Sequence, residues 1–362
     1  MHPRIAVIKG DGIGIDVTDA ALFLMECALR KAGALSPKLH MIAAGAGHFL
    51  ETGSDIMAGG EAAAGDGDAI FLGAIGLPAI RHDDGTEISP HLRLRDRYQL
   101  YAGVRPVKAF PNIPNPLSDP RASAIDMVII RESTEGLFYT AAVHGRSHIT
   151  DDAVCETMRI SRPISEKLHN FAFRLAQRRK DKGGVGKVTC VDKANVFTAM
   201  AFFREIFDQT ASTYPTITAD HCYVDAMALN MVRHPWELDV LVTENMFGDI
   251  LSDLAGGLVG GMGMAACGEI GDEIGLFQPA HGSAPDIMGQ DKANPLAAIM
   301  SASMMLDYIH QTTGAGGYDV AAEQIDHAIA AGFAANLLRP MEFGGDMGTK
   351  AITQQIAALI NS

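Results

Sequence analysis

Two aspartates in the second half of the chain have the spacing of a metal-binding pair. Asp249 and Asp253 stand four residues apart, so both carboxylates would share one face of a helix near its N-terminus. Two like charges repel there, and a divalent cation relieves the repulsion more than the helix dipole does. Because the ligands are hard oxygen atoms without Cys or His, the pair indicates Mg²⁺ or Mn²⁺. An acidic pair that only stabilises the helix is the alternative.

Arginine is frequent between Arg93 and Arg131, although the protein as a whole is acidic. Guanidinium groups bind carboxylates through paired hydrogen bonds, so a cluster that includes Arg95, Arg105 and Arg131 predicts a small polyanionic substrate. Arg131 ends an apolar strand, and strand ends are where ligands bind in open α/β sheets. Ordinary surface positions are the alternative, above all for Arg93 and Arg97.

Two further segments have residue types suited to a catalytic site. Lys193 directly follows an apolar strand, and a partly desolvated lysine near a metal can act as a base, although a structural lysine is the alternative. The run from His281 to Asp286 is rich in glycine and proline, which would let the backbone approach a ligand closely. By contrast, the turn from Gly10 to Gly14 lacks the spacing of the Rossmann fingerprint, so its glycines can equally serve a tight turn.

The overall composition narrows the possible classes of function. A length of 362 residues predicts two domains. The net charge of −14 gives no basic footprint, so we expect no nucleic-acid partner. No apolar stretch is long enough to span a membrane, so no membrane partner is expected. Five cysteines without metal-binding spacing indicate reduced thiols in a cytoplasmic protein.

Short apolar strands alternate with turns and amphipathic helices, which predicts an α/β fold. The proline-rich segment 111–120 is predicted to be a surface loop. The predicted strands are 4–8, 69–73, 126–130, 187–191 and 240–243, and the predicted helices are 15–32, 161–180, one that begins near Phe247, and 295–312.

Taken in order along nearly the whole chain, these motifs resemble the β-decarboxylating dehydrogenases. This family includes the isopropylmalate, isocitrate, homoisocitrate and tartrate/D-malate dehydrogenases, and the likeness is closest to isopropylmalate dehydrogenase-like members. The motifs that carry the resemblance are Gly10–Gly14, the arginines at 95, 105 and 131, Val191–Val196, Tyr223–Met227, Asn245–Asp253, His281–Ile287 and Asn294-Pro295.

The resemblance implies a two-domain isopropylmalate/isocitrate dehydrogenase-like fold. Residues 1–104 and 256–362 would form a first, cofactor-binding domain that holds both termini. Residues 105–255 would form a second domain for dimerisation, with a β-arm at about 139–158. The active site would lie in the cleft between the domains and be shared across a homodimer.

The resemblance also implies a role for each candidate residue. Three arginines would hold the two carboxylates of a small dicarboxylate, and three aspartates would hold Mg²⁺ or Mn²⁺. Lys193 of the partner subunit would help to remove the C2 hydroxyl proton, and the carboxylate of Asp286 would select NAD over NADP because it repels a 2′-phosphate. The sets are Arg95, Arg105, Arg131 and Leu92 for substrate, Asp249, Asp253 and the partner subunit's Asp225 for metal, and His281, Gly282, Ser283, Ala284, Asp286, Ile287 and Asn294 for cofactor.

Two positions depart from the family pattern and leave the substrate open. Phe138 occupies the place of the tyrosine that protonates C3, with Tyr139 one residue later as the nearest candidate donor. Leu92, three residues before Arg95, cannot pair a third carboxylate, whereas the adjacent His91 keeps a polar C3 substituent possible. We therefore expect NAD- and metal-dependent oxidative decarboxylation of 3-isopropylmalate. The alternatives are a D-malate/tartrate-type or other 2-hydroxy acid dehydrogenase, and a non-catalytic regulatory subunit.

Overall fold

The computed structural model describes residues 2–141 and 147–362 and confirms the α/β architecture. One ten-stranded sheet has the strand order β2-β1-β3-β12-β11-β4-β5-β10-β8-β9, and β6 and β7 form a separate two-stranded ribbon. The strands are β1 (Arg4–Gly10), β2 (Lys38–Met41), β3 (Ala69–Ala74), β4 (Ala102–Lys108), β5 (Asp126–Glu132), β6 (His148–Ile149), β7 (Val154–Cys155), β8 (Lys187–Asp192), β9 (Thr218–Tyr223), β10 (Val240–Thr243), β11 (Ala266–Ile270) and β12 (Gly275–Pro279).

Helices pack on the sheet and bury a large apolar core, which includes Leu24, Phe71, Phe173 and Phe277. In the part of the chain that the structure describes, no helix is both long and apolar enough to cross a membrane. The helices are α1 (Ile13–Lys31), α2 (Ala46–Thr52), α3 (Gly60–Gly65), α4 (Pro90–Arg97), α5 (Phe138–Ala141), α6 (Arg162–Asp181), α7 (Thr198–Ala211), α8 (Val224–Arg233), α9 (Asn245–Leu258), α10 (Leu296–Thr313), α11 (Tyr318–Ala334) and α12 (Thr349–Asn361).

The direction of the strands changes in the middle of the sheet. The outer pairs run parallel, whereas β12, β11, β4 and β5 are joined by three antiparallel pairings. A change in the strand order of an open α/β sheet leaves a crevice in which ligands bind. The candidate arginines and aspartates lie on β4, β5, α4 and α9, at this central part of the sheet.

The predicted strands and helices are confirmed, with ends that differ by at most two residues. The segment 111–120 is a loop up to the short 3-10 turn that begins at Pro120. The ribbon of β6 and β7 lies inside the expected β-arm, of which residues 142–146 are outside the described part of the chain. The arm's role in dimerisation and the domain boundaries remain predictions.

The glycines of the Gly10–Gly14 turn allow a close approach of two loops. Gly10 and Gly12 have φ angles of +73° and +55°, which favour glycine. A Cβ atom on Gly12 would lie only 2.0 Å from the carbonyl oxygen of Ser283. The amide of Ile13 donates a 2.7 Å hydrogen bond to that same oxygen. The turn therefore fixes the loop that contains the candidate cofactor residues.

Candidate active site

A cavity of about 300 Å³ lies near the middle of the sheet, between the carboxyl ends of β3, β5 and β12 and the helices α4 and α9. It brings together five of the charged residues that the sequence singled out. Its lining consists of Leu72, Gly73, Ala74, Ile75, His91, Arg95, Arg105, Arg131, Phe138, Asp249, Ser252, Asp253, Gln278, Pro279, Ala280 and His281.

Three arginines reach the cavity from three different elements, Arg95 from α4, Arg105 from β4 and Arg131 from β5. Their side chains are largely buried. Burial lowers the pKa of Arg105 and of Arg131, but both stay charged because the ordinary pKa of a guanidinium is far above neutral pH. The Nε of Arg95 and the Nη1 of Arg105 are buried without a hydrogen-bond partner among the described residues. Unsatisfied buried donors of this kind fit an anionic ligand that completes the site.

The two aspartates of helix α9 face the same cavity. The side chain of Glu244 accepts a hydrogen bond from the amide of Phe247 and so caps the start of this helix. Asp249 accepts a hydrogen bond from Arg131. The pKa of Asp253 is raised, first by burial and then by the charge of Asp249. A cation would relieve this repulsion, so the donor set fits Mg²⁺ or Mn²⁺.

Lys193 and Asp225 do not line the cavity of their own chain. They form an ion pair with each other, with 2.7 Å between Nζ and Oδ1. Lys193 follows β8 and Asp225 lies in the first turn of α8. Within the described ranges of a single chain, no three His, Cys, Asp or Glu side chains form a metal-binding group. One chain thus supplies two of the three expected carboxylate ligands to its own cavity.

The cavity contains Phe138 and not Tyr139. The guanidinium of Arg131 lies 5.2 Å from the centre of the Phe138 ring, a cation–π contact. The ring of Tyr139 instead faces Arg159, at 4.9 Å. The structure therefore does not bring the candidate proton donor into the cavity. Tyr139 as a catalytic residue remains a prediction.

Of the two candidate residues for substrate specificity, His91 lines the cavity and Leu92 does not. Leu92 is 47% exposed on helix α4. The Nδ1 atom of His91 is buried and has no hydrogen-bond partner in residues 2–141 or 147–362. Burial, and then the charge of Arg95, lower the pKa of His91 from 6.5 to about 3, so the imidazole is neutral near pH 7.

The candidate cofactor loop follows β12 and begins inside the cavity at His281. Burial lowers the pKa of His281, and its Nε2 is buried without a partner among the described residues. The hydroxyl of Ser283 donates a hydrogen bond to the carbonyl of Gly76, which ties the loop to the end of β3. Ala284 has a φ of +34° where the loop turns.

The rest of this loop divides into exposed and buried residues. Gly282 and Asp286 are exposed, and Ile287 is half-buried. Asn294 is buried, and its amide donates a 2.9 Å hydrogen bond to Glu342. An exposed carboxylate at Asp286 is accessible to a ribose, whereas the side chain of Asn294 already holds the loop to another segment.

Glu269, on β11, is a residue of the site that the sequence interpretation missed. It accepts a 2.9 Å hydrogen bond from Arg105 and forms an ion pair with Arg95, also at 2.9 Å, so a carboxylate lies next to both arginines. A signal was present, because Glu269 is the single charged residue of the apolar run Ala266–Ile270. A charge in a fully buried strand requires a partner.

The fold and the cavity together are typical of an α/β enzyme that acts on a small anion. The family model for isocitrate/isopropylmalate dehydrogenase matches residues 4–360, and the chain belongs to this family. It is therefore an enzyme, a decarboxylating dehydrogenase that acts on a CH–OH donor.

Individual relatives cover almost the whole chain. The 3-isopropylmalate/3-methylmalate dehydrogenase of Methanocaldococcus jannaschii is 38% identical over 99% of this chain and 98% of its own length. The 3-isopropylmalate dehydrogenase of Salinibacter ruber is 38% identical over 98% of this chain and 94% of its own. Among solved structures, isocitrate dehydrogenase from Methylococcus capsulatus has a TM-score of 0.84 and 33% identity, with all of both chains covered.

Proposed function

We propose that this protein catalyses the NAD- and metal-dependent oxidative decarboxylation of a 2-hydroxy dicarboxylic acid, with 3-isopropylmalate as the first candidate substrate. The observation that carries the proposal is the convergence of three arginines and two aspartates on one cavity of about 300 Å³. This combination provides ligands for two carboxylates and for a divalent cation in the same place.

Arg95, Arg105 and Arg131 would bind the two carboxylates of the substrate. The buried and unpartnered nitrogens of Arg95 and Arg105 support this role, because their desolvation is compensated only when an acceptor is present. Because two of the three arginines lie on sheet strands, their positions are rigid before substrate binds.

Asp249 and Asp253 would hold Mg²⁺ or Mn²⁺ together with Asp225 of the partner subunit. The bound metal would polarise the C2 oxygen and stabilise negative charge there as the carboxylate at C3 is lost. Burial, and then the charge of Asp249, raise the pKa of Asp253, and a bound cation would offset both effects, which supports this role. Asp249 also contacts Arg131, so the metal and a substrate carboxylate would bind next to each other.

Lys193 of the partner subunit would accept the proton of the C2 hydroxyl. Its ion pair with Asp225 supports a paired contribution, because the two side chains would enter the neighbouring cavity together. A proton must also reach C3 after decarboxylation, and Phe138 has none to give. We assign that step to water or to Tyr139, whose present contact is with Arg159.

The loop from His281 to Ile287 and Asn294 would bind NAD. The exposed carboxylate of Asp286 can accept hydrogen bonds from both ribose hydroxyls, and it would repel the 2′-phosphate of NADP. The loop starts within the substrate cavity, which would bring a nicotinamide close to C2.

We further propose a homodimer in the cytoplasm. Exposed apolar side chains on α8, on α9 and in the ribbon of β6 and β7 support an interface, and Leu229, Ile250 and Ile149 are 53%, 61% and 71% exposed. The five cysteines are all free, as expected for a reducing compartment.

A D-malate- or tartrate-type substrate is the second candidate. The relatives named as 3-isopropylmalate dehydrogenases favour the first candidate. The neutral imidazole of His91 in the cavity favours the second, because it can form a hydrogen bond to a C3 hydroxyl but adds no charge for a third carboxylate.

Assays of NADH formation with 3-isopropylmalate, D-malate, tartrate and isocitrate, each with and without Mn²⁺, test the proposal. We expect metal-dependent activity on at least one dicarboxylate and the lowest kcat/KM on isocitrate. Absence of NADH formation from all four acids, with folded protein and metal present, would overturn the proposed cofactor and substrate class.

A further inference from the structure

Glu269 is a fully buried charge that lies directly behind two of the arginines that line the cavity. Its side chain has 0% exposure, and one carboxylate oxygen lies 2.9 Å from a guanidinium nitrogen of Arg95 and of Arg105, with a hydrogen bond from Arg105. These arginines and Arg131 together lower the pKa of Glu269 against the opposing effect of burial, so the group is ionised. A carboxylate therefore belongs to the arginine cluster before any substrate arrives.

Sheet register fixes the position of Glu269. Gly103 on β4 stands opposite Arg131 on β5 and opposite Glu269 on β11, so the three residues form one row on the same face of the sheet. A Cβ atom on Gly103 would lie 3.0 Å from a carboxylate oxygen of Glu269 and 2.7 Å from the hydroxyl of Ser133. The missing side chain at Gly103 leaves the room that Glu269 needs.

In one chain, the charges of the arginines and aspartates that line the cavity and of Glu269 behind them sum to zero. The three arginines contribute +3, and Asp249, Asp253 and Glu269 contribute −3. The pair of Lys193 and Asp225 adds no net charge. A divalent cation then brings the site to +2, which a dicarboxylate neutralises, whereas a tricarboxylate leaves an excess of −1.

The other two arginines of helix α4 are already paired with carboxylates. Arg93, on the same helix as Arg95, donates hydrogen bonds to Asp55 and Glu61 on the outer side of α4. Arg97 also lies next to Glu61, at 3.7 Å. The remaining polar group beside Arg95 is His91, which is neutral.

We propose that Glu269 is a specificity-determining residue, which orients Arg95 and Arg105 and sets the charge of the cavity to match a dianion and reject a trianion. The inference rests on the proposed function, because it takes the arginines as the ligands of the substrate carboxylates. It adds the class of anion that the site selects and the residue that selects it.

Glu269→Gln tests the proposal with two inhibitors that differ by one carboxylate, glutarate and tricarballylate. The variant keeps the size of the side chain and removes its charge. We expect the ratio of the inhibition constants, tricarballylate over glutarate, to fall by about tenfold to a hundredfold relative to the unmodified enzyme. Glu273→Gln is the matched control, because Glu273 is exposed on the turn after the same strand and the ratio should stay unchanged.

Two further measurements separate charge from structure. Glu269→Asp keeps the charge, so its inhibition ratio should remain close to that of the unmodified enzyme. The unmodified enzyme itself should bind glutarate more tightly than tricarballylate, which can be measured even if Glu269→Gln fails to fold. Tighter binding of tricarballylate by the unmodified enzyme, or parallel shifts of both constants in Glu269→Gln, would overturn the inference.

Failure of the inference is distinguishable from failure of the proposed function. Thermal stabilisation by glutarate and by tricarballylate, at equal free Mn²⁺, reports on anion binding without turnover. An enzyme that is inactive on every dicarboxylate but selects glutarate contradicts the proposed function alone. An active enzyme whose selectivity does not depend on Glu269 contradicts the inference alone.

Discussion

A shared active site makes a quantitative prediction about mixtures of inactive subunits. Lys193 and Asp225 lie 2.7 Å apart and outside the cavity of their own chain, whereas Asp249 lines it. We expect Lys193→Ala and Asp249→Asn each to abolish activity when assayed alone. If Lys193 acts in the neighbouring cavity, the two variants have their defects in different halves of the site.

Mixing the two variants should restore activity to a predictable level. In a mixed dimer, one site combines the intact Asp249 of one chain with the intact Lys193 of the other, and the second site contains both substitutions. After random exchange half of the dimers are mixed and each has one intact site, so activity should reach about a quarter of the unmodified level. NADH formation, measured after mild unfolding and refolding of the mixture, provides the readout.

The control pairs two variants whose defects lie in the same half of the site. Lys193→Ala mixed with Asp225→Asn leaves every site of a mixed dimer with at least one substitution, so no activity should return. Two different affinity tags allow the mixed dimers to be purified and counted. Purified Lys193→Ala/Asp249→Asn dimers without activity would refute the assignment of Lys193 to the neighbouring cavity.

Three further outcomes are expected. Asp249→Asn should lower kcat by at least about a hundredfold at saturating Mn²⁺ without loss of the folded state, since it removes a metal ligand and the partner of Arg131; near-normal turnover at low metal contradicts the metal site, and circular dichroism monitors the fold. The unmodified enzyme should have a kcat/KM for NAD about a hundredfold or more above that for NADP because of the charge of Asp286. Comparable values for the two cofactors, or an Asp286→Asn variant with the same NAD-to-NADP ratio of kcat/KM as the unmodified enzyme, argue against this role. Tyr139→Phe should lower decarboxylating turnover by about 10²–10⁴-fold if Tyr139 is the proton donor, whereas an unchanged kcat, together with a gain in Phe138→Tyr, would indicate that Tyr139 is structural.

Local patterns in the sequence were sufficient to predict the five charged side chains that line the cavity. The spacing of Asp249 and Asp253 predicts one helix face, and the structure places both on α9 towards the cavity. The position of Arg131 at the end of an apolar strand predicts a ligand-binding edge, and β5 confirms the strand. These predictions succeed because each depends on one element and its periodicity.

Contacts between distant strands were not predictable in the same way. Strand β4 contains Pro106, and a proline argues against a central strand. The strand is central nevertheless, because its pairing with β11 runs only from Ala102 to Val104 and ends before the proline. The role of Glu269 depends on this pairing, because its neighbours Arg105 and Arg131 are 164 and 138 residues away in sequence. Register across three antiparallel strands is a tertiary property that no local pattern encodes.

The three carboxylate–cation contacts of the site differ in whether a ligand can replace them. Asp249 and Asp225 have side chains that are 51% and 69% exposed, so water, a metal ion or a substrate can compete with Arg131 and Lys193 for them. Glu269 has 0% exposure and is held by two arginines on the sheet side of the cavity. Separating it from them would leave buried charges without partners, which is costly. Metal and substrate binding can therefore rearrange the first two pairs. The Glu269 carboxylate stays in place, so its negative charge acts on every anion that binds in the cavity.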